Sequence, residues 1–422
     1  MHVTLSAAAR CDAMLSAVRP VRSLLISIFI LMAGGGFMPT LVSVRLEAAG
    51  TGAGVIGLVG SAYFAGLTLG SLQAATVIRR VGHIRAFAFF VSLLSASTLA
   101  YALYEAAGLW AALRLVDGFC VAGVYVCLES WLNDRASPGE RGSVLAAYMV
   151  ALYAGQGLGQ FLLNLSGGDP GRPFLIASIL LSLAVLPVTM TRASSPVLGD
   201  YQALSIRSLY IASPLGMVGA AITGVVLGAF YGLGAVHAQR MGLDLAATAA
   251  FMSAVILGGV TLQWPLGWLS DHFDRRTVIL GVFAGTAAIA LAIALLGAPG
   301  TPLLLMGGLF GGLSFALYPL CVAHTNDRLT GAQRVGASAG LVLTYSAGAA
   351  AGPLAGAASM SALGSAGLFL FIAVCAALAV AFGLWRLAAR PAPPGELQQS
   401  YQALPHTTPM SAGLDPLSSE EP

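Results

Sequence analysis

The chain has 422 residues, 57% of them hydrophobic and only 9% charged, with a formal net charge of +3. Soluble domains carry about 25% charged residues, so a water-soluble globular protein is excluded. All 20 basic residues are arginine, and the absence of lysine removes a P-loop lysine, a Schiff-base lysine and a lysine general base. That argues against work driven by ATP hydrolysis in this chain. Cysteines at 11, 120, 127, 321 and 375 show neither C-x-x-C nor Cys/His ligand spacing, so no metal and no cofactor is expected.

A helix that crosses a bilayer needs about 20 mostly apolar residues. Twelve stretches qualify in chain order: 23–44, 54–78, 84–104, 108–132, 143–166, 173–191, 209–236, 246–269, 277–297, 302–325, 336–359 and 363–386. Backbone groups cannot stay unpaired in hydrocarbon, so these must be helices, and the alternating segments of a membrane β-barrel do not occur. The fold class is therefore an all-α membrane protein of twelve transmembrane helices. Residues 1–22 read as a cytoplasmic N-terminal segment, 23–191 as one six-helix bundle, 192–208 as a polar cytoplasmic linker and 209–386 as a second six-helix bundle. The Pro-, Ser-, Gln- and Glu-rich stretch 387–422 is expected to be a disordered cytoplasmic tail. The first span reads as a retained helix and not a signal peptide, because Gly34-Gly35-Gly36 interrupts it and no cleavage site follows.

Arginine placement orients the chain. With a cytoplasmic N-terminus, sixteen arginines (10, 19, 22, 79, 80, 85, 135, 141, 192, 207, 275, 276, 328, 334, 386 and 390) fall inside. Three (45, 172 and 240) fall outside, and Arg114 lies within a span. The positive-inside rule then puts both termini in the cytoplasm of a multi-pass protein of the bacterial inner membrane.

A shift of 193 residues superposes the loop after span 4 on the loop after span 10: Asn133-Asp134-Arg135 falls on Asn326-Asp327-Arg328, and Arg141 on Arg334. The same offset matches Gly118 with Gly311, Tyr125 with Tyr318, Gly155 with Gly348 and Gly159 with Gly352. Two six-helix halves related by duplication are the sequence sign of a secondary transporter, with its site between the halves near mid-membrane.

Over roughly residues 20–388 the chain resembles the major facilitator superfamily. The loop Gly267-Trp-Leu-Ser-Asp271-His-Phe-Asp274-Arg275-Arg276 is similar to the superfamily signature G-x-x-x-D-R-x-G-R-[RK], with His272 and Asp274 as departures. The mirror loop after span 2 is degraded, with Arg79 where Asp belongs. Arg114-x-x-Asp117-Gly118 is similar to R-x-x-Q-G, and Gly348-x-x-x-Gly352-Pro353-x-x-Gly356 to a motif associated with exporters. The strings Glu129-Ser-Trp-Leu-Asn133, Gln263-Trp-Pro-Leu-Gly267 and Leu317-Tyr-Pro-Leu320 resemble the bacterial YcaD-like branch. The resemblance implies alternating access of two halves around a central site.

Candidate residues follow from the cost of polarity in lipid. Arg114, Asp117, Tyr125 and Glu129 share about a 120° sector of span 4, and an ionisable group there must be paired or wetted. Arg114, Asp117 and Glu129 are the candidate proton or substrate relay; the bland alternative is a self-neutralising Arg114–Asp117 pair with Glu129 solvated near the cytoplasm. Gly267, Asp271, Arg275 and Arg276 form the candidate cytoplasmic gate. In the superfamily arrangement Asp271 sits beside the N-terminus of span 5, whose partial positive charge would hold it. Tyr63, Tyr125, Gln156, Gln160, Tyr231, Gln263, Tyr318 and Tyr345 are cavity candidates, with glue between helices as the alternative. Gly348, Gly352, Pro353 and Gly356 would permit a helix bend. His237 and His324, near span ends, read as solvated or interfacial.

The function expected is secondary active transport of a small organic solute by alternating access, coupled to protons, with efflux favoured over uptake of a metabolite. The rival is a transporter-like sensor that moves nothing. No clustered His, Cys or carboxylate set suggests an enzyme. The expected partners are the solute, protons and the lipid bilayer, with no nucleic acid, and the chain is expected to be a monomer.

Overall fold

The apolar runs fold as helices wherever the computed structural model describes the chain, which is at residues 18–137, 139–191, 204–329, 331–389, 398 and 400–415. Most of the segments 1–22 and 192–208, and residues 390–397, 399 and 416–422 of the tail, lie outside the described residues.

The first span, α1, is built of Arg22–Gly35 and Met38–Ala48 around the glycine triplet. It is followed by α2 (Ala53–Val81), α3 (His83–Leu103), α4 (Ala107–Arg135) and α5 (Arg141–Gly159), which continues as the 3-10 turn Gln160–Ser166. The sixth span, α6, is Arg172–Ala184 extended by Leu186–Thr189. A short helix, Ile206–Ala212, leads into α7 (Pro214–Arg240), α8 (Leu245–His272), α9 (Arg275–Leu296), α10 (Thr301–Asn326), α11 (Gly331–Leu363) and α12 (Gly367–Ala389). Eleven of these are long and apolar enough to cross a membrane, and α5 with its 3-10 continuation completes twelve. No strand occurs among the described residues.

The 193-residue repeat is a repeat of packing. Gly155 and Gly159 press α5 onto α1 so closely that a methyl group at either would meet the carbonyl oxygens of Phe29 and Ala33. At the equivalent places in the second half, Gly348 and Gly352 press α11 onto α7, against the carbonyls of Ala221 and Val225. Gly118 meets the carbonyl of Tyr63 on α2, and its counterpart Gly311 meets that of Val255 on α8. Small residues that let backbones approach are how helices bind one another where water offers no drive. α11 runs as one helix through Pro353, and Gly348 and Gly352 are contact points along it.

Both described ends of the chain lie at one end of the bundle, here the near end, which also receives most of the arginines. At the far end the halves touch. Arg240 forms two hydrogen bonds with Glu47 (2.7 and 2.9 Å), Ser43 Oγ donates to Gly232 O at 2.9 Å, and Pro353 packs against Gly57 and Gly60 of α2. Between the halves, on the near side of this closure, lies a cavity.

The tail departs from expectation. Residues 400–415 are not an unstructured extension but a packed segment at the near end, finishing in the 3-10 turn Pro409–Leu414, with Leu404, Thr408 and Leu414 buried. Composition predicts disorder when a segment cannot bury enough apolar surface by itself; here the rest of the protein supplies the surface.

Candidate functional site

The cavity retains about 110 Å³ of free space, enough for several water molecules. Of the sequence-derived candidates, Tyr63, Arg114, Asp117, Tyr125, Gln156, Tyr231 and Tyr345 line it. Most of the remaining wall is aliphatic side chain and glycine from α1, α2 and α4, with Tyr153 from α5.

Its charged feature is the Arg114–Asp117 pair, one turn apart on α4 and both almost fully buried (3% and 2% exposed). Arg114 Nη1 stands 3.5 Å from Asp117 Oδ2, while the guanidinium carbon lies 4.2 Å over the Tyr63 ring, a cation–π contact. Asp117 is further held by α3: Ser97 Oγ donates to Oδ1 at 2.6 Å and Tyr101 OH to Oδ2 at 2.7 Å. Ser97 and Tyr101 escape sequence reasoning because a hydroxyl four residues from another on an apolar helix carries no signal until its neighbour is known. The long Arg114–Asp117 distance beside two short hydroxyl bonds means that the carboxylate is fixed mainly by α3, while the guanidinium rests on the Tyr63 ring at the cavity wall.

Around the pair, polar side chains reach across the two halves. Gln156 Nε2 donates to Tyr231 OH at 3.4 Å, Tyr125 OH points to Met32 S (3.4 Å), and Tyr345 OH is buried without a hydrogen-bond partner. Other candidates fall elsewhere. Gln160 donates to the carbonyls of Gly36 and Gln156 (3.3 and 3.4 Å) and so ties α5 to α1. Gln263 pairs with Tyr153, and Tyr318 meets Tyr345 edge to face, ring centres 5.3 Å apart. These three are helix-to-helix contacts.

Glu129 is separated from the ion pair. Twelve residues further along α4, it lies about 18 Å nearer the near end, and the three relay candidates do not form one cluster. It is not solvated there: fully buried, it accepts a hydrogen bond from Tyr148 OH at 3.1 Å and others from the hydroxyls of Thr407 and Thr408.

The gate motif forms a buried network of the second half. Arg275, 1% exposed, bonds both oxygens of Asp327 at 2.7 Å and reaches Asp271 at 3.0 Å. Arg276 bonds Asp274. Asp271 accepts from Arg275 and from the backbone N–H of Tyr401 (2.7 Å). The Tyr401 ring covers Gly267, where a side chain would collide with it. His237 and His324 are buried, not solvated (1% and 2% exposed), and His237 Nδ1 bonds Ser365 O at 2.8 Å. Among the described residues no group of His, Cys, Asp and Glu is placed to hold a metal.

Twelve helices in two similar halves, with a cavity between them and a buried ion pair on its wall, define a secondary-transporter architecture. The Major Facilitator Superfamily model matches residues 23–315 and 218–412. The chain is 30% identical over 367 residues to the MFS-type transporter YcaD of Escherichia coli O7:K1, covering 84% of this chain and 92% of that one. It is 29% identical over 365 residues to YcaD of Salmonella enteritidis PT4, with the same coverage. Among solved structures it is similar to a D323A mutant of the nucleoside transporter NupG (TM-score 0.74, 14% identity, 86% of this chain and 99% of that one). It is also similar to a bacterial homologue of the human lysosomal transporter Spinster in an inward-facing, unoccupied conformation (TM-score 0.72, 15% identity, 92% and 100%). The chain belongs to the major facilitator superfamily of membrane transporters.

Proposed function

We propose that this protein is a proton-coupled secondary transporter that moves a small organic solute by alternating access across a bacterial inner membrane. The arginine distribution supports cytoplasmic termini, so the near end is the cytoplasmic face and the closed far end the external one. The exporter-like motif of α11 supports efflux as the favoured direction.

The observation that carries the reading is the Arg114–Asp117 pair on the cavity wall. Breaking a buried ion pair leaves an uncompensated charge, which costs about 3–5 kcal/mol. A solute group that reaches the guanidinium from the cavity competes with Asp117 for it, and Asp117 then regains neutrality by taking a proton. Solute and proton occupancy are thereby coupled through one side chain. Tyrosine rings and aliphatic walls suit a solute with an apolar or aromatic face and at least one hydrogen-bonding group. The nucleoside transporter among the similar folds carries a solute of that general kind, which is compatible with the reading.

The test is transport by purified protein in liposomes across a panel of aromatic and amphipathic metabolites and drugs, with and without an imposed pH gradient. Gradient-dependent movement of at least one solute is expected. Binding without movement across the whole panel would instead favour the non-transporting sensor.

A further inference from the structure

Glu129 raises a question that the ion pair does not. It is a buried carboxylate whose bonding partners include three hydroxyls: Tyr148 OH from α5 and the hydroxyls of Thr407 and Thr408. Two of the three come from a segment 278 and 279 residues away. Each of its oxygens takes one threonine, so the pair is matched to the carboxylate as a two-pronged ligand. Immediately before them, His406 lies against two rings of the second half, 4.3 Å from Tyr345 and 5.8 Å from Tyr318 between ring centres. Immediately after them, Asn133 Nδ2 donates to Met410 O at 2.6 Å. Upstream, the Tyr401 N–H bonds Asp271.

The segment thus grips α4 of the first half and α8, α10 and α11 of the second, and it does so across the near mouth of the cavity. Pro405, His406 and Thr407 are themselves part of the cavity wall. Proline at 405 and 409 brackets the gripping residues, which lowers the conformational entropy lost on ordering them. The contacts span both halves, so they must break before the halves can rock about the cavity.

We propose that residues 400–415 are a built-in plug, with Glu129, Asn133 and the Tyr318–Tyr345 pair as its receptor at the cytoplasmic mouth, and that the plug holds the cavity shut until it is displaced. The regulatory consequence rests on the transport reading above, but the plug itself is measured without any solute. The receptor takes a carboxylate-binding pair of hydroxyls next to an aromatic ring.

The test uses the full chain with its five cysteines replaced and one reporter, Gln156→Cys, in the cavity wall. Its rate of modification by a charged methanethiosulfonate reagent is measured in detergent. Replacement of Thr407 and Thr408 by valine removes two hydrogen bonds to a charged group, and modification should accelerate by about tenfold or more. A chain ending at Gly395 should react at least as fast, and a synthetic peptide of residues 400–415 should restore protection to it. If the truncated chain fails to fold, the double valine variant carries the test alone. Equal rates in the parent and the double valine chain would overturn the plug. Failure of the solute panel with altered rates here would overturn transport and leave the plug standing.

Discussion

In α4 the first half carries Arg114, Asp117 and Glu129; 193 residues on, α10 carries Gly307, Phe310 and Val322 in their places. Phe310 packs among Phe230 and Phe369 (ring centres 5.5 and 5.4 Å), so the second half fills with aromatic rings the space that the first half fills with an ion pair. At the near end the assignment reverses. In the register of the loop motif, Asp271, Arg275 and Arg276 of the second half correspond to Arg79, His83 and Ile84 of the first. In place of a charged network, His83 Nε2 meets Ser130 Oγ at 3.0 Å and its ring lies beside Trp131 (5.6 Å). The duplication kept the glycine contacts that set helix spacing and let the polar residues diverge. Packing at a close backbone crossing admits one solution, whereas a buried charge needs to be present only once.

The largest effect should come from breaking the charged network where it is buried. Arg275→Ala removes both hydrogen bonds that Asp327 accepts from it and should cost about 3–5 kcal/mol, read as lost thermal stability in detergent. Arg79→Ala, at an exposed position in the mirror loop, should stay within about 0.5 kcal/mol. Equal losses would remove the asymmetry between the halves.

The glycine contacts should show the opposite, a matched response. Gly159→Ala and Gly352→Ala each push a methyl group into a neighbouring carbonyl and should each cost about 1–3 kcal/mol. A large cost at one and none at the other would show that the repeat preserves sequence without preserving packing.

The smallest effect is on pH. Burial lowers the His406 imidazole from 6.5 to about 4, so docking of the tail is fully present above pH 6.5 and weakens as pH falls toward 4. From pH 7.5 to 5.5 the plug should loosen by about tenfold, read as the modification rate of the Gln156→Cys reporter relative to the same reporter in the double valine chain at each pH, because the thiolate fraction falls alike in both. His406→Phe keeps the ring against Tyr318 and Tyr345 and should abolish that part of the dependence.

Much of this was legible in the sequence, and the reasons are physical. Twelve spans follow from hydrocarbon thickness, and the two halves from one offset shared by glycines and polar residues. Arg114 and Asp117 stand out because charge in a span is costly. Gln160, Gln263 and Tyr318 could not be separated from the cavity residues, since side-chain direction depends on helix rotation that apolar runs on every face leave free. The partners of Glu129 were hidden more deeply. Thr407 and Thr408 sit in a segment whose composition reads as solvated, and nothing local reports a contact across 278 residues.

The central claim is that Asp117 couples proton and solute. The direct measurement compares wild type with Asp117→Asn in liposomes, scoring both solute movement driven by a pH gradient and solute exchange without one. A neutral amide keeps the size and planar shape of the side chain at 117 but cannot gain or lose a proton, so gradient-driven movement should fall to background while exchange persists. Gradient-driven movement that survives in Asp117→Asn would contradict the account.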